Sequence, residues 1–296
     1  MILLSVLVAL MLWISTKKFG GTEIRDRQST ITHEKFHRRY NTSDKMGYIL
    51  YDIGNQSSLN DQDVVDYIGS QISQPSPTRS LQLARLHRKD ASQMGQSTFV
   101  DKLLSGRRNG FFVECGAADG ETYSNSLFFE LQRNWTGLLI EANPAYHRAL
   151  LNKNRRAYVL NSCLSTERIP TTVRFRSSGV LSGIVGKTHG RERGVDVTVK
   201  CFPLNSIMEA LGVSHVDYLS LDVEGPELEI IRTVDFRRLH IDVITVEYFI
   251  MRRKNATLKK LHDLRRFFND TGIYHEIGLL PTGDESKGLD VVFSRV

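Results

Sequence analysis

Apolar runs and segments of helical period alternate along this 296-residue chain from about residue 96 to the C-terminus. Four of the runs are short, continuous and bounded by polar residues, as buried strands are. They cover residues 111–113, 137–140, 216–221 and 241–246. Residues 256–271 instead repeat apolar side chains at three- and four-residue spacing, which predicts an amphipathic helix. The alternation predicts a doubly wound α/β domain with a mostly parallel sheet.

Weaker patterns predict the remaining elements. Helices are expected at 61–69, 96–105, 125–133, 144–152 and 204–211, and strands at 157–160, 171–176 and 197–202. Residues 273–278 and 289–294 are expected to close the sheet as an antiparallel pair. A glycine-rich insertion, residues 177–194, lies between two of the strands. Composition does not shift after residue 100, so one catalytic-type domain is expected.

Each of the four central runs leads into a carboxylate, and these residues are Glu114, Glu141, Asp222 and Glu247. Ligands of an open parallel sheet lie at the carboxyl ends of its strands, so the four acids are expected to converge on one crevice. The alternative is that acids simply end strands at the solvent boundary. That explanation suits one or two of them better than all four.

The turn after the first run contains Glu114, Gly116 and Gly120 in an E-x-G-x-x-x-G pattern. Glycines let the backbone approach a ligand closely, and Glu141, 21 positions after Gly120, is placed to accept both ribose hydroxyls of a nucleoside. A tight turn alone is the alternative explanation for the glycines. The leading Glu114 would repel a pyrophosphate, which favours a ligand with a cationic or zwitterionic tail. S-adenosylmethionine fits that description.

Three segments carry a resemblance to a known family: residues 110–117 (GFFVECGA), 135–144 (WTGLLIEANP) and 217–229 (DYLSLDVEGPELE). From about residue 60 to the C-terminus, the chain resembles the FkbM-type S-adenosylmethionine-dependent methyltransferases, and among them the animal Star-like membrane proteins. The resemblance implies a Rossmann-like, seven-stranded sheet of the class I methyltransferase type with a C-terminal antiparallel hairpin. It also implies S-adenosylmethionine as the cofactor.

A set of polar and glycine residues is expected to bind this cofactor. The set is Glu114, Gly116, Asp119, Gly120, Glu141, Asn161, Ser162 and Asp222. Glu141 is assigned to the ribose hydroxyls, Glu114 and Asp119 to the cationic amino group, and Asn161 with Ser162 to adenine. The two glycines are assigned to the methionine part.

Three acids are the catalytic candidates. Asp222 should lie beside the transferable methyl group, with Glu224 or Glu247 as a base for an acceptor hydroxyl. For Glu224, capping the following helix is an equally weighted alternative, since Pro226 and Glu227 suit a first helical turn. Methyl transfer chiefly needs orientation, so no metal is expected.

The N-terminus differs from the rest of the chain. Residues 1–15 are predicted to be a signal anchor or signal peptide, 16–59 a flexible stem, and 60–296 the methyltransferase-like domain. Basic residues after the apolar segment favour a cytoplasmic flank. Five glycosylation sequons, at Asn41, Asn55, Asn134, Asn255 and Asn269, instead favour a lumenal domain. A single-pass protein of the endoplasmic reticulum, Golgi or endosomal membrane is expected, or a secreted one if the segment is cleaved.

Two functions from different classes remain open. One is an O-methyltransferase acting on a small-molecule or glycan hydroxyl. The other is a non-catalytic Star-like trafficking factor that binds a client membrane protein and assists export of growth-factor ligands from the endoplasmic reticulum to the Golgi.

The remaining chemistry is less specific. Cys163 and Cys201 are either a disulfide or two core cysteines, and Cys115 is expected to be a buried free thiol. The nine histidines are scattered without ligand spacing, which argues against a metal site. The net charge of +6 comes from separated basic pairs with acids between them, so no nucleic-acid partner is expected.

Overall fold

The structure, a computed structural model, describes residues 61–85, 90–179, 182–187, 194–281 and 284–296. The predicted anchor and stem lie outside the described residues. Within the described ranges no helix is both long and apolar enough to cross a membrane.

A central sheet of seven strands organises the domain. Its members are β1 (Phe111–Cys115), β2 (Thr136–Ile140), β3 (Tyr158–Leu160), β8 (His215–Leu221), β9 (His240–Glu247), β10 (Tyr274–Leu280) and β11 (Asp290–Arg295). The spatial order is β3-β2-β1-β8-β9-β11-β10. The first five of these strands pair in parallel, whereas β11 is antiparallel to both neighbours. The α/β architecture is confirmed, and the sheet is a mixed one.

Seven helices are described. They are α1 (Asp61–Gln71), α2 (Gln96–Leu103), α3 (Leu127–Arg133), α4 (Pro144–Asn152), α5 (Leu204–Ala210), α6 (Glu227–Ile231) and α7 (Lys254–Thr271). One apolar cluster joins α1, α5, α6 and α7 to the sheet, and a second joins α2, α3 and α4 to it. Alternate strand residues face different clusters: Phe112 lies in the second and Val113 in the first. The sheet is therefore buried between two helical layers.

A second sheet of four strands follows β3. Its strands are β4 (Cys163–Leu164), β5 (Thr171–Ser177), β6 (Gly183–Ile184) and β7 (Val195–Phe202), in the order β4-β7-β5-β6. The sequence predicted β5 and β7 but not the two-residue strands, which are too short to carry a period. Phe175 and Ile184 form part of its small apolar cluster.

The second sheet shows which of the two alternatives for Cys163 and Cys201 is correct. Cys163 and Cys201 are register partners in the adjacent strands β4 and β7, and they form a disulfide. Cys115 is a buried free thiol, as predicted. Burial raises the pKa of that thiol, and the neighbouring Glu114 raises it further. Cys115 is accordingly an inert member of the core.

Candidate active site

A cavity of about 540 Å³ opens at the carboxyl ends of β1, β2, β8 and β9. The predicted acids Glu114, Glu141, Asp222 and Glu247 all line it. Side chains of the second sheet, including Phe175 and Ile184, form another part of its wall. We call this cavity the crevice. The strand ends therefore converge as the sequence predicted.

The turn after β1 brings backbone against backbone. Gly116 has φ of 82°, and a Cβ at this position would lie 1.8 Å from the carbonyl oxygen of Asp222. The amides of Gly116 and Ala117 both donate to the carbonyl of Ile140, at 3.0 and 3.1 Å. Only glycine fits here, because any side chain would push β1 away from the loop after β8.

Gly120 has a different environment from Gly116. A Cβ there would lie 2.2 Å from a side-chain methyl of Leu150, on α4. Gly120 is buried and does not line the crevice. Its positive φ of 77° and this packing account for the glycine without a ligand.

Glu141 is fixed at the end of β2 by the backbone. One carboxylate oxygen accepts from the amide of Asn143 at 2.6 Å, and the other accepts from the amide of Ala118 at 2.7 Å. Burial raises its pKa to about 7, although the hydrogen bonds from these amides oppose the shift. Each oxygen keeps a second lone pair, so the carboxylate can still accept two hydroxyls from a ligand.

Asn143 connects Glu141 to α4. Its side-chain oxygen accepts from the amide of Ala145 at 2.9 Å and so caps this helix, whose first residue is Pro144. Its amide nitrogen donates to the hydroxyls of Ser177 and Ser182, at 2.9 and 3.2 Å. The second sheet is thereby fixed to the end of β2 beside the crevice.

Glu114 is fully engaged by the protein. Its carboxylate accepts from the hydroxyl of Ser124 at 2.8 Å, from the amide of Asn125 at 2.7 Å, and from the hydroxyl of Ser126. Burial raises its pKa, whereas the nearby Arg155 and these hydrogen bonds oppose the rise. Glu114 therefore holds the loop before α3, which leaves little capacity for the ligand's amino group.

Asp119 likewise serves its own turn. It accepts from the amides of Glu121 and Thr122, at 3.0 and 2.7 Å, and from the Thr122 hydroxyl. Burial would raise its pKa, but these hydrogen bonds together lower it below the ordinary value. Asp119 is not among the residues that line the crevice.

The two predicted adenine contacts separate. Ser162 is buried, lines the crevice, and donates its hydroxyl to the carbonyl of Cys163 at 2.7 Å. Asn161 is exposed, and its amide nitrogen donates to the carbonyl of Glu141 at 2.7 Å. Asn161 thus links the residues that directly follow β2 and β3, and it does not line the crevice.

The three catalytic candidates lie together. One carboxylate oxygen from each of Asp222, Glu224 and Glu247 lies within 4.8 Å of the others. Burial raises the pKa of all three, and repulsion between neighbouring carboxylates adds to it, with Glu224 raised to about 7. For Asp222, a side-chain hydrogen bond with Glu247 opposes this rise. We call Asp222, Glu224 and Glu247 the acid cluster.

Glu224 does not cap the following helix. The N-cap position of α6 is Pro226, and no side chain caps this helix. The loop amides of Val223 and Gly225 are instead satisfied by Glu227, at 3.0 and 2.9 Å. Glu224 has φ of 61°, a left-handed conformation rare for a residue with a side chain, and it lines the crevice.

Two polar residues of the site were not found from the sequence. Lys260, on α7, is buried and donates to Glu227 at 2.5 Å. Burial lowers its pKa, but Glu227 and Glu247 outweigh this and raise it. Asn125 lines the crevice and donates to Ser220 at 2.9 Å, while its buried side-chain oxygen has no partner in the described part of the chain. Neither residue breaks a periodic pattern, so no signal in the sequence could have found them.

The comparison with known families identifies the class. The family described as "Methyltransferase FkbM domain" matches residues 114–272, more than half of the chain, and the chain belongs to this family. The family confirms S-adenosylmethionine as the cofactor of the domain, as the sequence predicted. No curated protein matches the chain.

Solved structures show limited similarity. Methyltransferase FkbM from Methylobacillus flagellatus KT is 15% identical with a TM-score of 0.44, over 69% of this chain and 48% of that protein. The match thus spans about half the length of the Methylobacillus protein. Fibrillarin from Aeropyrum pernix, solved with natively bound S-adenosyl-L-methionine, is 13% identical with a TM-score of 0.37, over 67% of this chain and 74% of that one.

Proposed function

We propose that the crevice binds S-adenosylmethionine and that the domain methylates a hydroxyl group of a small molecule or glycan. The observation that carries the proposal is the carboxylate of Glu141, which two backbone amides hold at the end of β2. Its remaining lone pairs suit the two hydroxyls of a ribose. The cavity of about 540 Å³ lies within the range of small-molecule sites.

The other residues of the crevice fit the cofactor in charge and shape. Gly116 would let the methionine part approach the backbone. The unpartnered oxygen of Asn125 is an acceptor available to an ammonium group. The acid cluster would offset the positive charge of a sulfonium.

When bound, S-adenosylmethionine would supply an electrophilic methyl group. The acid cluster would supply a base for the hydroxyl group that accepts it. We infer that Glu224 or Glu247 takes the proton of the acceptor hydroxyl as the new bond to carbon forms. A pKa near 7, as for Glu224, suits a group that must exchange protons near neutral pH. Asp222, which bonds to Glu247, would position it.

We propose that the domain lies in an oxidising compartment, in the lumen of the endoplasmic reticulum, Golgi or endosomes. The disulfide between Cys163 and Cys201 supports this placement, because such bonds persist mainly outside the cytosol. The same disulfide favours the compartment of the second candidate, a Star-like trafficking factor that binds a client membrane protein without catalysis. The two candidates differ in whether the crevice must bind a cofactor.

Calorimetric titration of S-adenosylmethionine into the purified full chain tests the proposal. The change Glu141→Gln should weaken binding by about 10- to 100-fold, because it removes charge-assisted hydrogen bonds to the ribose. The matched control is Glu209→Gln, since Glu209 is exposed and pairs only with Arg238 among the described contacts. No binding by the folded wild type, or equal binding by both variants, would leave the non-catalytic candidate in front.

A further inference from the structure

The amino end of the sheet, opposite the crevice, carries a second group of chemically active side chains. His215 is the first residue of β8, and His240 is the first residue of β9. The two strands are parallel, with His215 and His240 as register partners. Neighbours in register point to the same face of a sheet, and so does the residue two positions further along a strand. Asp242 is that residue on β9.

The three side chains meet at one atom. The Nε2 atoms of His215 and His240 lie 3.0 and 2.8 Å from the same carboxylate oxygen, Oδ1 of Asp242. The imidazole rings are nearly perpendicular, with centroids 4.8 Å apart. The three possible ligand atoms, one from each side chain, all lie within 4.8 Å of one another. Two imidazole nitrogens and one carboxylate oxygen are a donor set that zinc takes in proteins.

The spacing of these atoms is close to that of a zinc site. Zinc bonds of about 2.0–2.2 Å in tetrahedral geometry place neighbouring ligand atoms about 3.3 Å apart. The observed separations from Asp242 are shorter by only a few tenths of an ångström. Zinc would require each imidazole to carry its proton on Nδ1, so that Nε2 is free for the metal. A neutral ring reaches that state by changing tautomer, without a net loss of protons.

The carboxylate of Asp242 is already oriented by a second layer of contacts. Arg107 donates to its other oxygen and also to Asp217, and Asp217 in turn accepts from the amide of Phe111 at 2.7 Å. Hydrogen bonds of this kind fix the ligand oxygen in protein metal sites. While both imidazoles are neutral, the two carboxylates exceed the one guanidinium by one negative charge.

Access from solvent is open. The side chains of His215 and His240 are 52% and 49% exposed, whereas that of Asp242 is 18% exposed. We propose that His215, His240 and Asp242 bind one zinc ion and leave a fourth position to water. The ion would join β8 to β9 at their amino ends, remote from the crevice. Histidine spacing along the chain could not find this site, because its two histidines are 25 residues apart and only the register unites them.

The test uses the full chain stripped of metal with a chelator and then titrated with zinc chloride against a chromophoric zinc indicator. We expect a site of about one zinc per chain whose affinity falls by about 100-fold or more in His240→Ala. The matched control is His262→Ala, since His262 is exposed, lies near Asp263, and belongs to no group of three metal-ligating side chains among the described residues. His262→Ala should bind zinc like the wild type.

Cobalt provides an independent readout. The wild type with one equivalent of Co²⁺ should show the visible absorption of a low-coordinate nitrogen and oxygen site, and His215→Ala should lose it. Circular dichroism of the variants checks that they are folded. Zinc affinity that is equal in wild type, His240→Ala and His262→Ala would overturn the proposal, as would the absence of zinc binding by the wild type.

Discussion

Acids at the two ends of strands β8 and β9 have pKa values shifted in opposite directions. At the amino end, Asp217 and Asp242 face Arg107, and the pKa of Asp242 lies below its ordinary value because hydrogen bonds from Arg107 and His215 outweigh burial. At the carboxyl end, Asp222 and Glu247 are crowded together, and burial raises the pKa of both.

This difference separates acids that a cation neutralises from acids that are crowded together. Lys260 is the buried cation near the acid cluster in the described part of the chain, and its direct bond is to Glu227. Buried carboxylates without cations are costly in the ligand-free protein, so they persist where a ligand or a reaction needs them. The acids at the amino end avoid this cost in the ligand-free protein, because Arg107 donates to both Asp217 and Asp242.

The largest expected effect comes from the turn that closes the crevice. Gly116→Ala would place a methyl group 1.8 Å from the carbonyl of Asp222. We expect S-adenosylmethionine binding to fall by about 100-fold or more, or the fold to be lost, since the backbone cannot move there without parting β1 from β8. Thermal unfolding and calorimetry distinguish these results.

The control for this change is Gly272→Ala, at the end of α7. Gly272 also has positive φ, 65°, but a Cβ there would meet nothing within 4 Å. Gly272→Ala should lower the free energy of unfolding by only about 1–2 kcal/mol, because alanine is strained in the left-handed conformation. It should leave the affinity for the cofactor unchanged. If Gly116→Ala and Gly272→Ala had equal effects, the left-handed backbone conformation would explain the need for glycine at position 116, and the close approach of the Asp222 carbonyl would not.

Neutralising one acid at each end sharpens the comparison directly. Glu247→Gln should raise the free energy of unfolding by about 1 kcal/mol, because an amide can donate to Asp222 and carries no charge to repel it. Asp242→Asn should lower it by about 1–3 kcal/mol, because Arg107 loses a charged partner. Chemical denaturation of the ligand-free proteins, with a chelator present, measures both. Loss of stability in both variants would mean that the acid cluster is structural.

The pH dependence of stability has a definite sign. The pKa of Glu224 rises from 4.5 to about 7 on folding. Its contribution to stability is therefore fully present below about pH 4.5 and is lost as pH rises through 7. Between pH 5.5 and 8, the ligand-free wild type should lose on the order of 2 kcal/mol more stability than Glu224→Gln. Parallel curves for the two proteins would contradict the raised pKa.

Asp242 does not interfere with that measurement. Its pKa is lowered from 3.8, mainly by Arg107 and His215 against the effect of burial. A lowered carboxyl pKa contributes stability that is present above the unfolded value and is lost as pH falls through the folded one. This loss falls below the pH range of the experiment.

The fold followed from sequence because its strands are continuous apolar runs. Residues 216–221 and 241–246 were predicted as strands within one residue of β8 and β9. The position of the crevice followed from the rule that ligands lie at carboxyl ends of parallel strands. The two-residue strands β4 and β6 were missed, because their formation depends on pairing with β7 and β5 across the insertion.

Roles were harder to predict than positions. Glu114 and Asp119 lie beside the expected turn, yet their oxygens accept from nearby hydroxyls and amides that the sequence also contains. Which partner an acid takes depends on loop geometry, and no periodic pattern records it. Lys260 illustrates the reverse case, since a lysine on an amphipathic helix ordinarily predicts a solvent contact.

The most direct test of the account is whether protons leave the protein when the cofactor binds. Titrating S-adenosylmethionine into the full chain at pH 7, in two buffers of different ionisation enthalpy, measures this number. With the pKa of Glu141 at about 7, about half of its carboxyl groups are protonated before binding. The account predicts release of at least about half a proton per cofactor bound, and less in Glu141→Gln. Binding without proton release, or with proton uptake, would contradict the claim that Glu141 accepts the ribose hydroxyls as an ionised carboxylate.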